Sequence, residues 1–116
     1  MENNEIELIS MQMVLNAGDA RLLIKEALDL VMESKFSESE TKLEEAQDKI
    51  KIAHQAQTSL IQGEAAGVKQ EYSMLFAHAQ DTFMTIYSEL HMARKLKSMF
   101  EIVDKRISTL EDNRNE

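Results

Sequence analysis

The sequence predicts an all-α protein, an antiparallel up-down-up bundle of three helices. The chain has 116 residues with no proline and only three glycines, and these two residue types are the usual breaks in helices. Aromatic residues make up only 5%, and β-branched residues never alternate with polar ones as in a strand. Apolar residues instead recur at steps of three and four in three stretches, which predicts three amphipathic helices. We expect residues 1–116 to form a single domain.

The first helix is predicted over about residues 4–33, where one apolar stripe continues without a break. Gly18 interrupts it at a cost of about 1 kcal/mol relative to alanine. Either another backbone approaches closely there, or the glycine is neutral. The stripe consists of Ile6, Ile9, Met13, Ala17, Ala20, Ile24, Ala27 and Val31.

The second helix is predicted over about residues 38–62. Ser37 is followed three residues later by Glu40, a capping box in which each side chain satisfies a free backbone N–H. The glycine-bearing segment 63–67 ends this helix. Its stripe consists of Leu43, Ala46, Ile50, Ala53, Gln57 and Leu60.

The third helix is predicted over about residues 69–110, followed by a polar, frayed tail at 111–116. Short connections make the three helices antiparallel neighbours. The stripe of the third helix consists of Tyr72, Leu75, Ala79, Phe83, Ile86, Leu90, Ala93, Phe100, Val103, Ile107 and Leu110.

The third helix also carries apolar residues on its opposite side, which usually marks a second contact. Homo-oligomerisation is one explanation, with methionine as an adaptable packing residue. The alternative is that the first helix or the loops cover this side. Its residues are Met74, Ala77, Met84, Met92, Met99 and Ile102.

Charge and composition exclude several classes of function. The formal net charge is −8, which disfavours binding to nucleic acid or to anionic lipid and favours basic protein partners. Without cysteine there is no disulfide, thiol nucleophile or thiolate metal site. We expect no signal peptide at the start of the chain, and no apolar run approaches the roughly 20 residues of a membrane span. We therefore expect a cytoplasmic protein with no membrane insertion.

His78 and Asp81 lie one turn apart in the segment LFAHAQDTFMT. On a helix, His78 points about 100° from the stripe centred on Ala79, and Asp81 about 160° from it. Asp81 therefore falls on the second apolar side of the third helix. If copies assemble about an axis there, their carboxylates would repel one another unless a cation lies among them.

Simpler explanations of these two residues remain open at this stage. Asp81 is also explained by solvation or by a local hydrogen bond, and His78 by a structural or surface role. The two side chains are also spaced for a hydrogen bond within the helix. A zinc site is disfavoured, because neither His54 nor His91 has a metal-ligand spacing with His78.

Several segments resemble one family, the enzyme IIA components of the lactose/cellobiose (chitobiose) class of the bacterial sugar phosphotransferase system. His78-Ala79-Gln80-Asp81, followed by Met84-Thr85, resembles the family's active-site segment. Matches in the first and second helices extend the resemblance over roughly residues 5–108. They are Gly18-Asp19-Ala20-Arg21, Ala53-His54, Gln57-Thr58, Leu60-Ile61 and Gly63-Glu64-Ala65.

The resemblance implies a homotrimer of three-helix bundles in which His78 carries a phosphoryl group on Nε2. It also implies that Asp81 of each subunit binds a shared magnesium or similar divalent ion at the trimer axis. The donor would be the histidine-containing phosphocarrier protein, and the acceptor a cysteine of the IIB component. The system would import a β-linked disaccharide such as cellobiose, lactose or chitobiose.

The resemblance defines the hydrogen-bond donors for the phosphate less clearly than it defines the phosphorylated histidine. We predict that Gln80 is one of these donors. Thr82, Thr85, and Gln57 or Lys69 of a neighbouring subunit are further candidates. Thr82 stands where many family members have a second histidine, so no role of that histidine carries over.

Two other classes of function compete with the phosphoryl relay. One is a non-catalytic helical oligomerisation or adaptor module. The other is a histidine phosphotransfer domain of two-component signalling, which is disfavoured because such domains carry their histidine on four helices rather than three.

Overall fold

The computed structural model describes residues 3–67 and 73–115, and side chains from residue 5 onward within those ranges. Its elements are three helices: α1 (Asn3–Met32), α2 (Phe36–Ala65) and α3 (Met74–Asn115). The described residues contain no strand. The all-helical, three-helix prediction is therefore confirmed for the described parts of the chain.

The predicted apolar stripes form the core where the three helices overlap. Small residues allow close helix packing, because alanines of α1 and α2 are fully buried beside larger side chains. The cluster consists of Met13, Ala17, Ala20, Ile24, Ala27, Leu43, Ala46, Ile50, Ala53, Ala79, Phe83, Ile86, Leu90 and Ala93.

The start of α2 differs from the predicted capping box. The helix begins at Phe36, so Ser37 lies inside it, and the N-cap residue Lys35 makes no side-chain capping bond. The start is instead fastened to α1, because the buried Ser39 hydroxyl donates to the Ala27 carbonyl at 2.9 Å. Glu40 is engaged elsewhere, in ion pairs with α3.

Several helix ends also differ from the predicted bounds. The end of α2 is Ala65 rather than residue 62, because Gly63 is accommodated within the helix. The predicted start of α3 at residue 69 lies outside the described residues. The helix α3 continues to Asn115, beyond its predicted end at residue 110. No proline or glycine stops it, and Arg114 in the last turn complements the helix dipole.

Ion pairs join the helices around the core. Arg21 of α1 donates to both carboxylate oxygens of Glu89 on α3, at 3.0 and 2.8 Å, and these bonds raise the pKa of Arg21. Burial raises the pKa of Glu40, but hydrogen bonds from Arg94 and Lys97 outweigh burial and leave that pKa below its ordinary value. These contacts link α1 to α3 and α2 to α3.

The second apolar side of α3 is not covered by the described part of its own chain. Met74, Met84 and Met92 are 77%, 57% and 63% exposed. Within one chain, the alternative that α1 or the loops cover this side is therefore wrong for the described residues. We call it the Asp81 face: Met74, Ala77, Asp81, Met84, Met92, Met99 and Ile102.

A second exposed apolar row runs along α1, and sequence reasoning missed it. Leu8, Leu15 and Leu22 recur every seven residues and are 67%, 61% and 58% exposed. The seven-residue spacing of these leucines in the sequence is the signal that could have revealed this row.

Candidate functional site

The first turns of α3 carry the candidate site, and the start of this helix is anchored to α1. The Ser73 hydroxyl accepts a hydrogen bond from the Phe76 N–H at 3.1 Å, which is N-capping. The same hydroxyl donates to Glu7 of α1 at 3.5 Å. Side chains on the next turn are thereby held at a defined position relative to α1.

His78 lies on the surface of this helix. Its side chain is exposed and lines an open depression of about 490 Å³ together with Met74, Ala77, Gln80, Asp81 and Met84. No hydrogen bond or ion pair joins the imidazole to any residue that the structure describes, so the proposed helix-internal bond to Asp81 is absent. Both ring nitrogens are therefore available to an incoming molecule.

Asp81 is also exposed, and its carboxylate has no partner among the described residues. Its backbone carbonyl accepts a hydrogen bond from the Thr85 hydroxyl at 2.9 Å. An unpaired carboxylate flanked by methionines is costly to bury against another copy unless a cation or a proton compensates it.

A divalent cation requires several oxygen ligands, and the described residues of one chain do not supply them around Asp81. The described residues contain no group of three His, Asp or Glu side chains that could hold a metal ion. The donor type fits magnesium, since Asp81 offers a free carboxylate. Only several copies of the chain would complete the ligand set.

Gln80 lies on the other side of Asp81 from His78. The two residues are two positions apart, so their side chains point about 160° from each other around the helix. Both line the same depression, with Asp81 between them. Gln80 is half-buried and does not hydrogen-bond to His78 of its own chain.

The other candidate phosphate donors differ in their availability. The Thr85 hydroxyl is engaged by the Asp81 carbonyl, and Thr82 is half-buried. Gln57 on α2 has a buried Oε1 with no hydrogen-bond partner among the described residues. Lys69 lies outside the described residues.

The other two histidines belong to a different surface. His54 of α2 stacks near Phe83, with ring centroids 5.9 Å apart. His91 meets Tyr87 edge-on at 4.6 Å. Neither histidine lines the depression that contains His78, so the site contains one imidazole.

Residues 8–101 match the family model described as "PTS system, Lactose/Cellobiose specific IIA subunit". The lactose-specific EIIA component of the phosphotransferase system from Staphylococcus epidermidis is 37% identical over 105 residues, which cover 90% of this chain and 98% of that relative. The lichenan-specific enzyme IIA component of Bacillus subtilis is 34% identical over 104 residues, covering 90% of this chain and 94% of that relative.

Solved structures give the same result for the fold. A crystal structure described as PtcA from S. mutans superposes with a TM-score of 0.85 at 34% identity, covering 87% of this chain and 99% of that one. The cellobiose-specific enzyme IIA of Bacillus anthracis superposes with a TM-score of 0.82 at 34% identity, covering 90% of this chain and 94% of that one. Within the described residues, no helix is both long and apolar enough to cross a bilayer.

Proposed function

This chain belongs to the lactose/cellobiose-specific IIA subunits of the phosphotransferase system, which relay a phosphoryl group, and we propose that His78 carries that group. The observation that supports this assignment is the exposed imidazole in the open depression on α3, which has no hydrogen-bond or ion-pair partner among the described residues. A carrier must meet two different proteins in turn, so its nucleophile has to be accessible. His54 and His91 lie on another surface.

The proposed reaction is reversible phosphoryl transfer between nitrogens and then to sulfur. The Nε2 lone pair of neutral His78 attacks the phosphorus of a phosphohistidine on the donor. The new N–P bond forms as the donor's N–P bond breaks, and the donor nitrogen takes the electron pair. In the second half, a cysteine thiolate of the IIB component attacks the same phosphorus, and the His78 imidazole leaves.

Rigid placement serves this reaction. An imidazole is mostly neutral near pH 7 and therefore nucleophilic. The anchored start of α3 holds the ring at a defined position, which favours in-line approach of donor and acceptor. Because donor and product have similar transfer potentials, the protein contributes positioning rather than a large driving force.

The proposed assembly is a homotrimer whose axis runs beside the Asp81 face. The support is the exposed apolar row of methionines, together with one carboxylate at its centre that pairs with nothing in the described part of the chain. Three copies would place three Asp81 carboxylates around the axis, where a magnesium or similar divalent ion would neutralise their repulsion. In that assembly, Asp81 is the metal ligand.

The same symmetry supports the role of Gln80 as a phosphate donor. A symmetry axis beside Asp81 and parallel to α3 would place equivalent residues of neighbouring copies at the same height along the axis. The His78 side of one copy then faces the Gln80 side of the next copy at nearly the same level. The Gln80 amide of the neighbouring copy would donate to the phosphate on His78, which the same chain's Gln80 cannot do from its own side of the helix.

The proposed partners follow from the family and from charge. The donor is the histidine-containing phosphocarrier protein, and the acceptor is the cognate IIB component, both at the cytoplasmic side of the membrane. With a net charge of −8, and more negative charge after phosphorylation, the protein favours basic or helix-N-terminal partner surfaces. The imported sugar is a β-linked disaccharide such as cellobiose, lactose or chitobiose.

Labelling tests the phosphorylation site. The chain is incubated with phosphoenolpyruvate and the general phosphotransferase proteins, and acid-labile protein phosphate is measured. Wild type, His54→Gln and His91→Gln should take up label, and His78→Gln should take up none. Equal labelling of His78→Gln and wild type would assign the phosphate to another residue.

The competing adaptor function predicts a different outcome of the same experiment. A helical oligomerisation module without chemistry would take no label in any variant. Assembly without labelling would therefore support the adaptor.

A further inference from the structure

Gln57 occupies a position on α2 where the neighbouring residues of the same row are apolar. Leu43 and Ile50 precede it at intervals of seven residues on the same side of the helix, and they are 0% and 3% exposed. The Oε1 atom of Gln57 is buried without a hydrogen-bond partner among the described residues, where no other buried side-chain nitrogen or oxygen lacks one. A buried acceptor without a donor destabilises the folded chain.

The side of α3 that faces α2 carries a row of longer side chains at intervals of seven residues. Its members are Gln80, Tyr87 and Arg94. Arg94 donates to Gln47 of α2 at 2.6 Å, and Tyr87 lines a depression together with His54 of α2. Gln80, one further interval towards the start of α3, therefore also points to the side of α2.

The register of the two helices places Gln57 opposite Gln80. His54 of α2 meets Phe83 of α3 with ring centroids 5.9 Å apart, so these two residues lie at the same level. The helices run antiparallel. Three residues on from His54 along α2 and three residues back from Phe83 along α3, Gln57 therefore lies level with Gln80.

The two amides have complementary hydrogen-bonding groups. A glutamine amide offers a carbonyl oxygen as acceptor and an NH₂ group with two donors. The buried Oε1 of Gln57 needs one donor. Gln80 is half-buried and makes no hydrogen bond with any described residue, so both of its N–H groups are available. A rotation of Gln80 about its side-chain bonds completes the contact, because the two side chains are not bonded to each other in this structure.

Such a bond would orient the Gln80 amide for phosphate. A glutamine that is held only by its own helix can turn its carbonyl oxygen towards a phosphate, which also presents only acceptors at neutral pH. The Gln57 oxygen accepts a bond from the nitrogen end of the Gln80 amide and from no other part of it. The second N–H of the same nitrogen then remains free for a phosphate oxygen.

We propose that Gln57 is a positioning residue for phosphoryl transfer, whose Oε1 accepts a hydrogen bond from Gln80 of the same chain while Gln80 binds the phosphate on His78 of the neighbouring copy. This inference rests on the role of Gln80 proposed above. It differs from direct binding of the phosphate by Gln57, because the buried atom of Gln57 is an acceptor and a phosphate needs donors.

The rate of phosphoryl acceptance tests the proposal. Gln57→Leu continues the apolar row of α2 without an acceptor, and it should take up label about 2–10-fold more slowly than wild type, the effect of losing one neutral hydrogen bond. The final amount of label should equal that of wild type, because His78 is intact. The control Gln55→Leu, on the exposed side of α2, should keep the wild-type rate. Gln57→Met repeats the test with an unbranched side chain.

A double-mutant cycle separates positioning through Gln80 from any other effect of Gln57. In the Gln80→Ala background, Gln57→Leu should cause no further slowing, because the amide that it positions is already absent. If Gln57→Leu slows the reaction as much in that background as in wild type, Gln57 acts independently of Gln80 and the proposal is overturned.

Stability gives a second readout, which a purely structural glutamine would move in the other direction. Gln57→Leu removes a buried acceptor without a partner, so its midpoint of chemical denaturation should equal or exceed that of wild type. A lower midpoint together with an unchanged rate would make Gln57 a structural residue and would overturn the proposal.

The outcomes also separate this proposal from the proposed function. If Gln80→Ala is slow and Gln57→Leu labels at the wild-type rate, positioning by Gln57 is overturned and the relay through His78 stands. If wild type itself takes up no label, the relay is wrong and the role of Gln57 is overturned with it.

Discussion

At the scale of single residues, the site consists of three neighbours that point in different directions. His78 and Gln80 lie on either side of Asp81, and all three line one depression. In the proposed assembly each residue has a different role because each points in a different direction. His78 carries the phosphate, Gln80 of the next copy binds it, and Asp81 faces the axis.

Gln80→Ala tests the proposed phosphate donor. Removing one hydrogen bond to a charged group costs about 1.5–3 kcal/mol, so phosphoryl acceptance should slow by about 10–100-fold. The final amount of label should stay near that of wild type, because His78 is intact. Rapid-quench labelling measures the rate, and the exposed Gln55→Ala serves as the matched control. Equal rates for the two variants would remove Gln80 from the site.

At the scale of the helices, periodicity predicts elements better than it predicts their ends. The stripes of α1 and α2 are buried as predicted except for the half-buried Ile9 and Gln57, since burial of one helix face follows directly from the spacing of apolar residues. The prediction of a capping box at Ser37 is wrong, because a serine and a glutamate three residues apart also occur inside a helix. There, Glu40 is more strongly engaged by Arg94 and Lys97 than by a backbone N–H.

Gly18 gives a test at this scale. A Cβ built at Gly18 meets no atom within 4 Å, so the close approach of another backbone is absent within the described chain. Gly18→Ala should therefore raise the free energy of unfolding by about 1 kcal/mol through better helix propensity. Chemical denaturation of the full-length protein measures this.

The control for Gly18→Ala is the enlargement of a side chain at a position where the core leaves no room for added atoms. Ala20, two residues along the same helix, is fully buried in the core, and Ala20→Leu should destabilise by about 1–3 kcal/mol through overpacking. A loss of stability in Gly18→Ala would instead indicate that another copy packs against this glycine.

At the scale of the whole molecule, one chain leaves much apolar surface exposed. The Asp81 face, the α1 row and the last apolar residues of α3 are all uncovered by the described part of the chain; these last residues are Phe100, Val103, Ile107 and Leu110. Exposed apolar area of this extent is characteristic of association surfaces. The long axis of the molecule, 71 Å against 21 and 18 Å, offers these surfaces along its length.

Asp81→Leu tests the proposed axis. Leucine removes the metal ligand and the carboxylate repulsion together, so the variant should remain assembled but bind no divalent ion. Sedimentation and metal analysis measure both properties. Dissociation into single chains would contradict the proposal.

A chelator provides the matched comparison. A bound ion at about 100 times its Kd stabilises the folded state by about 2.7 kcal/mol. Removing it should therefore lower the melting temperature of wild type, while Asp81→Leu should not respond. If chelation leaves both melting temperatures unchanged, no ion occupies the axis.

The sequence by itself determined the number of helices, the buried faces of α1 and α2 and the segment that holds the candidate site. These properties follow from residue spacing along the chain, which needs no knowledge of neighbours. The resemblance carried by His78-Ala79-Gln80-Asp81 likewise depends only on residue identity.

The tertiary structure decided what a one-dimensional pattern cannot contain. The stripe of α3 has the same spacing before and after Ala93, yet Phe83 is buried, whereas Ile107 and Leu110 are exposed, because the turn between α1 and α2 lies level with residue 104. Burial depends on which other helix lies alongside. The relative lengths of packed helices therefore determined which apolar residues form the core and which remain free for another chain.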